Sequence, residues 1–209
     1  MDVSKYDHSA RGKNAPLYEY YAKKIKDETG VMSGRCLDAG CGGGYLGLAL
    51  ACITDLEFTF LDTSAEMLEK ADAHIVEDGL ENRAKTLHAD VHEIPLPDGC
   101  MDLVISRGSI PFWKDPGKAL SEIYRLLAPN GKAFVGGGRG TPEMRKAFER
   151  NMKKDGFCGP DGKRRRPGGP DDPWNIMKRR DFDQILKDVG IPRFSAPIEA
   201  DGRWIRLWK

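Results

Sequence analysis

Two patterns alternate along this chain: segments whose apolar residues recur every three or four positions, and short runs that are apolar almost throughout. Leu17, Tyr20, Tyr21 and Ile25 fall at helical spacing behind Asn14 and Pro16, with Gly30 as a stop, so a helix is expected there. The 13 residues before it are polar and read as a mobile arm. Residues 35–39, 57–61, 84–88, 102–106 and 132–135 read as strands. Between them, 45–53 reads as a short helix and 63–79 as a helix opened by a capping box from Thr63 to Glu66. From Pro116, a further helix carries Leu120, Ile123, Leu126 and Leu127 on one face, and Pro129-Asn130-Gly131 makes a turn before the fifth strand. Such alternation predicts βαβ units, hence a doubly wound, mostly parallel α/β sheet covered on both faces. The end differs: 177–189 reads as a helix, and the runs 194–199 and 203–208 flank Ala200-Asp201-Gly202 as an antiparallel C-terminal hairpin, for seven strands in all.

A length of 209 residues fits a single domain: an arm and helix (1–33), a core (34–138), a basic insert or lid (139–173) and a terminal helix with hairpin (174–209). Hydrophobic residues at 40% and charged residues at 31% exclude wholesale disorder. Lys and Arg number 33 against 32 Asp and Glu, so global charge points to no polyanionic partner. Five cysteines, an odd number without a CxxC pair, read as reduced thiols and as neither a disulfide framework nor a zinc site. His88 and His92 flank Asp90 with no third ligand at suitable spacing, so no metal is expected. The first residues lack a leader's apolar stretch and the run 45–53 is too short to span a bilayer, so a cytoplasmic protein with no membrane partner is expected.

The strongest local signal is Leu37-Asp38-Ala39-Gly40-Cys41-Gly42-Gly43-Gly44, which leaves a strand and opens a helix. Glycines there let the backbone turn tightly and come close to a ligand. Gly42-x-Gly44-x-x-Gly47 also matches a dinucleotide fingerprint, a weak pattern on its own. Asp38 argues otherwise: a carboxylate beside the loop suits a ligand carrying an ammonium group and repels a pyrophosphate. The Asp-x-Gly-x-Gly-x-Gly arrangement resembles motif I of class I methyltransferases. Residues 60–68, Ala89-Asp90-Val91, the strand 102–106 and the turn 126–132 resemble that family's later segments in order. The likeness covers roughly residues 34–138, plus the hairpin by architecture, and is closest to the small-molecule branch that includes quinone C-methyltransferases.

The resemblance implies a Rossmann-like fold, S-adenosylmethionine as cofactor and a small-molecule acceptor. It implies that Asp38, Gly40, Cys41, Gly42 and Gly44 cradle the methionine part. It implies that Asp62, 22 residues after Gly40, takes the ribose hydroxyls, and that Asp90 and the Val91 N–H meet the adenine. Thr63, Met67 and Ser106 complete that set. The family has no universal catalytic residue, so none is assigned. Around the acceptor, Arg107 holds an anionic group or ties loops together. Ser109 lines the same space, and Phe112 and Trp113 wall it or pack beneath the next helix. Tyr6 and His8 lie on the arm, where His8 is a base or a solvated histidine. Segment 141–180 carries an excess of six positive charges but few aromatic residues to interleave with them, Phe157 and Trp174 among them, so it reads as a lid over the acceptor ahead of a nucleic-acid platform. An RNA methyltransferase, a non-catalytic cofactor-binding regulator and a nicotinamide dehydrogenase are the competing readings.

Overall fold

In the computed structural model, which describes residues 2–154 and 179–209, the strands are built by side chains that alternate between two apolar layers. Strand β1 (Ser33–Ala39) sends Cys36 to one layer and Leu37 and Ala39 to the other. Along the chain follow β2 (Asp55–Asp62), β3 (Ala84–His88), β4 (Met101–Arg107), β5 (Leu127–Gly138) and β6 (Phe194–Ser195). Then come β7 (Ile198–Glu199) and β8 (Gly202–Trp208). In β4, Leu103 and Ile105 face one layer and Val104 the other; in β8, Trp204 opposes Ile205 and Leu207.

The sheet order is β3-β2-β1-β4-β5-β8-β6, with β7 also pairing β8. The pairs from β3 through β5 are parallel, and those with β8 are antiparallel. The expected architecture holds, with eight strands rather than seven. The run 194–199 is split at Ala196-Pro197, where proline has no N–H for the ladder. The helices α1 (Val3–Arg11), α2 (Ala15–Thr29), α3 (Tyr45–Ala51) and α4 (Ala65–Glu77) precede α5 (Pro116–Leu126), α6 (Pro142–Lys154) and α7 (Phe182–Asp188). Residues of α2, α3 and α4 pack with one layer, those of α5 and α7 with the other, so both faces are covered.

Several expectations need correction. The polar arm is helix α1: Asp2 caps it through the Lys5 N–H, Val3 and Ala10 lie seven positions apart on its buried side, and Arg11 pairs with Glu77 at the end of α4 and with Asp78 just past it. Asn14 precedes α2 without capping it, because its amide donates to Ser9 Oγ (3.1 Å). Ser64, not Thr63, caps α4 by accepting from Met67 N. Strand β5 begins at Leu127 and contains the 129–131 turn as an irregularity in which Asn130 adopts a φ of 65°. The helix expected from 177 is seen as α7, capped by Asp181; residues 177–178 lie outside the described residues. No helix among the described residues is long and apolar enough to cross a membrane.

Candidate functional site

The chain winds from β1 outward through β2 to β3, then returns to place β4 on the other side of β1. At such a reversal the connections leave in opposite directions, and a crevice opens beyond the C-terminal strand ends. The glycine loop after β1 and the Ser106-Arg107-Gly108-Ser109 segment at the end of β4 flank it.

The loop's shape follows from its hydrogen bonds. The N–H groups of Gly40 and Cys41 donate to Leu61 O at the end of β2 (2.7 and 3.0 Å), and Gly42 N–H donates to Asp62 Oδ2 (2.8 Å). Gly40, Gly42 and Gly44 hold φ values of 71°, 56° and 83°, which L side chains rarely adopt. At Gly40 a Cβ would also lie 2.5 Å from Ser109 Cβ. Ser106, read as lining the cofactor, is fully buried and donates its hydroxyl to Ala39 O (2.6 Å); Ser109 Oγ sits 2.5 Å from Ser106 Oγ. The two serines thus brace the loop from behind.

Asp38 is buried and accepts from Gly47 N–H (3.0 Å) at the start of α3. Burial pushes its carboxyl up to about 7, the Gly47 N–H opposes this, and the Asp62 charge adds to it. Asp62 behaves differently. It is half-buried, Oδ1 accepts from Ser64 N–H (2.9 Å), and Oδ2 accepts from Gly42 N–H. Two of about four acceptor positions on the carboxylate are used. Met67 is buried below, its sulfur 3.8 Å from where a Gly42 Cβ would stand, and Thr63 is exposed with its carbonyl bonded to His88 Nε2. Cys41 is buried and its thiol is held well above its usual range by burial, which argues against a reactive sulfur. Asp90 is exposed; Oδ1 accepts from His92 N–H and pairs with His92 Nδ1, and the backbone bond chiefly lowers its carboxyl below the usual range. Val91 beside it is buried.

Across the crevice, Arg107 reaches back to the first helices. Its guanidinium stands 4.9 Å over the Tyr18 ring and 5.1 Å from the Tyr21 ring centre, and Nη2 donates to Gly138 O (2.9 Å). Its Nε–H is buried without a hydrogen-bond partner. Trp113 packs into the core, whereas Phe112 is 63% exposed. Gly136, Gly137 and Gly138 are paired with β8 at Trp204, Arg203 and Gly202. A Cβ at Gly138 would overlap the Asp201 carbonyl and lie 2.5 Å from Tyr21 Oη, so close packing explains the glycine. Tyr21 Oη donates to Asp201 O (2.7 Å) and accepts from Gly140 N–H (2.8 Å). The start of the proposed lid is thereby tied down, and α6 follows. Its part at 155–173, with Lys163 to Arg166, lies outside the described residues.

On the arm, Tyr6 stacks edge-on against Tyr45 (5.8 Å between centroids), with its hydroxyl 3.5 Å from that of Tyr18, and His8 is exposed. Asp7 lies on the arm with them, and it contacts a group that was not legible as functional, His74. Asp7 Oδ1 accepts from Tyr45 Oη (2.9 Å) and faces His74 Nε2 (3.2 Å), while His74 Nδ1 lies 2.8 Å from Gly43 O in the glycine loop. The available signal was spacing: with Met67, Leu68, Ala71 and Ile75, His74 lies on the apolar side of α4. Among the described residues no group of three or more His, Cys, Asp and Glu could hold a metal.

A family model described as a methyltransferase domain matches residues 37–135. The chain is 33% identical over 102 residues to the chloroplastic 2-methyl-6-phytyl-1,4-hydroquinone methyltransferase 1 of Oryza sativa subsp. japonica, a match covering 48% of this chain and 30% of that one. It spans about a third of the length of the plant relatives it matches. To an uncharacterized methyltransferase of Bacillus subtilis it is 30% identical over 135 residues, covering 62% of this chain and 72% of the other. Among solved structures, a Methanococcus maripaludis protein classed as an S-adenosyl-L-methionine-dependent methyltransferase superposes with a TM-score of 0.84 at 32% identity, over 98% of this chain and 90% of that one.

Proposed function

The chain belongs to the class I S-adenosylmethionine-dependent methyltransferases, and from that premise we propose that it transfers a methyl group to a small molecule held on the β4–β5 side of the crevice. The observation that carries this reading is Asp62. Each of its oxygens is fixed by one backbone N–H, so the carboxylate is held rigidly at the end of β2 with an acceptor position remaining on each oxygen. That donor-hungry pair suits a vicinal diol. Asp38 suits an ammonium group, which would draw its carboxyl back down and favour the ionised form. The residues present therefore fit the cofactor. When bound, S-adenosylmethionine supplies a methyl group already activated on a sulfonium.

The protein's own work is then to hold, orient and exclude water. Asp90, fixed by His92, and the Val91 backbone offer an acceptor and a donor at the end of β3 for the adenine edge. Arg107 offers the acceptor a buried Nε–H that has no other partner, on a guanidinium whose plane is fixed by Tyr18 and Tyr21. An anionic group on the acceptor, a carboxylate or an ionised phenol, would satisfy it. No general base is assigned, and an acceptor that is already ionised would not need one. The test uses the purified protein with methyl-labelled S-adenosylmethionine and a panel of hydroquinones, phenols and carboxylic acids. Label should pass to an anionic or readily ionised member, and Arg107→Met should raise the KM for that acceptor. Label transfer to neutral amines alone would overturn the acceptor assignment.

A further inference from the structure

Helix α1 has anchors other than Tyr6. Val3 and Ala10 are buried, Arg11 pairs with Glu77 and Asp78, and Asp7 Oδ1 accepts from Tyr45 Oη (2.9 Å). Tyr6 adds a large ring at one particular place. It packs edge-on against Tyr45, and its hydroxyl lies 3.5 Å from that of Tyr18; Tyr18 and Tyr45 pack on each other with 5.4 Å between centroids. This cluster has two ends. Tyr45 opens α3 directly after the glycine loop, and a Cβ at Gly43 would lie 2.6 Å from its hydroxyl. Tyr18 carries the Arg107 guanidinium over its ring at 4.9 Å. Because Tyr6 touches both tyrosines, it stands between the glycine loop and Arg107.

The three rings differ in exposure. Tyr18 and Tyr45 are 7% and 6% exposed, whereas Tyr6 is 39% exposed, so a ring held by two neighbours still leaves aromatic surface open. On the same cluster, the Nε–H of Arg107 is buried without a hydrogen-bond partner. The open ring is completed by a flat apolar body, and the N–H by an acceptor oxygen. A ligand that joins an anionic oxygen to a planar π-system supplies both, and an aliphatic anion supplies only the second.

We propose that Tyr6 is a specificity-determining residue of the acceptor site, selecting an aromatic carboxylate or phenolate by ring packing while Arg107 takes its charge. This role rests on the reading that Arg107 receives the acceptor.

The test compares two probes of equal charge and similar size, benzoate and cyclohexanecarboxylate, which differ in the aromaticity of the ring. Each is titrated by NMR into the full chain with S-adenosylhomocysteine present. Wild type should bind benzoate about fivefold more tightly than cyclohexanecarboxylate. Tyr6→Phe should keep that preference, Tyr6→Leu should abolish it, and Arg107→Met should weaken both acids about tenfold. If Tyr6 only docks α1, Tyr6→Leu weakens both acids together and their ratio stays as in wild type, which overturns the proposal. Equal affinities in wild type, or binding of neither acid, overturn it as well. If Tyr6→Leu fails to fold, nuclear Overhauser contacts between benzoate and the Tyr6 ring in wild type decide: their presence supports the proposal and their absence overturns it. Loss of affinity in Arg107→Met without any ring preference would leave the acceptor reading standing and remove Tyr6. A ring preference that depends on Tyr6 but not on Arg107 would remove the acceptor reading of Arg107 and, with it, the proposed pairing of ring and charge.

Discussion

On the β1–β2 side of the crevice, the hydrogen bonds that hold the two carboxylates are short in sequence. Asp62 takes the N–H of Ser64 two residues on and of Gly42 twenty residues back, and Asp38 takes the N–H of Gly47 nine residues on. On the β4–β5 side they are long. Arg107 rests on Tyr18 and Tyr21, and Tyr21 bonds to Asp201, 180 residues away. The first side is a strand-turn-helix motif repeated with small changes, and its chemistry rests on backbone geometry. The second is assembled when helix α2 and the C-terminal hairpin close on the end of β4, so its chemistry depends on the whole fold. Changes on the first side should therefore register in cofactor affinity, and changes on the second in stability and acceptor handling.

The largest expected effect is on the second side. Gly138→Ala drives a methyl group into the Asp201 carbonyl, backbone against backbone with no flexible side chain to yield. It should cost about 4 kcal/mol or prevent folding, read by chemical denaturation. A mutant of unchanged stability would show that β5 and β8 can part at little cost.

Next comes Asp38, whose carboxyl is pushed up to about 7 by burial. Its folded value lies above the unfolded one, so between about pH 4 and pH 7 the folded chain holds a proton that the unfolded chain has lost. Stability without ligand should fall as pH rises through that window. Asp38→Asn, which keeps an oxygen for Gly47 N–H, should remove the slope and raise stability above pH 7 by about 3 kcal/mol. Thermal melts across pH read this. A wild-type slope of the opposite sign would refute it.

Asp62→Ala follows. It removes the proposed ribose acceptor together with the anchors of Gly42 and Ser64, and should weaken S-adenosylhomocysteine by about 2 kcal/mol, roughly thirtyfold. Unchanged affinity would place the diol elsewhere. Arg107→Met keeps much of the stem's packing but loses the Gly138 bond and the contact with the tyrosine rings. A loss of about 1 kcal/mol in stability is expected, with cofactor affinity changed by less than about threefold. A large fall in cofactor affinity would move Arg107 to the other side of the comparison. Smallest of all, Cys41→Ala should leave cofactor affinity within about twofold in the same titration, because the loop's backbone and not its buried thiol is presented.

The same contrast explains what could be read from sequence. Periodicity placed β1 through β5 and α2 through α5, because each obeys a local rule, and Asp62 was identifiable as the acidic residue that ends β2. Helix α1 was missed because its apolar side is only Val3 and Ala10, and its remaining support is tertiary: Arg11 on α4 and Asp7 on His74. The reason for the glycines of β5 was not legible, because it is the backbone of β8, some 65 residues ahead in the chain. Arg107 was identifiable as a residue at the end of β4, but not its setting between two tyrosines of α2, since no spacing rule links positions 18, 21 and 107.

The central claim is that the backbone-built side of the crevice holds a sulfonium nucleoside and not a dinucleotide. Isothermal titration of the wild-type protein with S-adenosylmethionine, S-adenosylhomocysteine and NAD tests it most directly. Micromolar binding of the first two, about −7 to −9 kcal/mol, with no heat from NAD, is the result predicted. Tight binding of NAD with none of either adenosyl ligand would contradict the account.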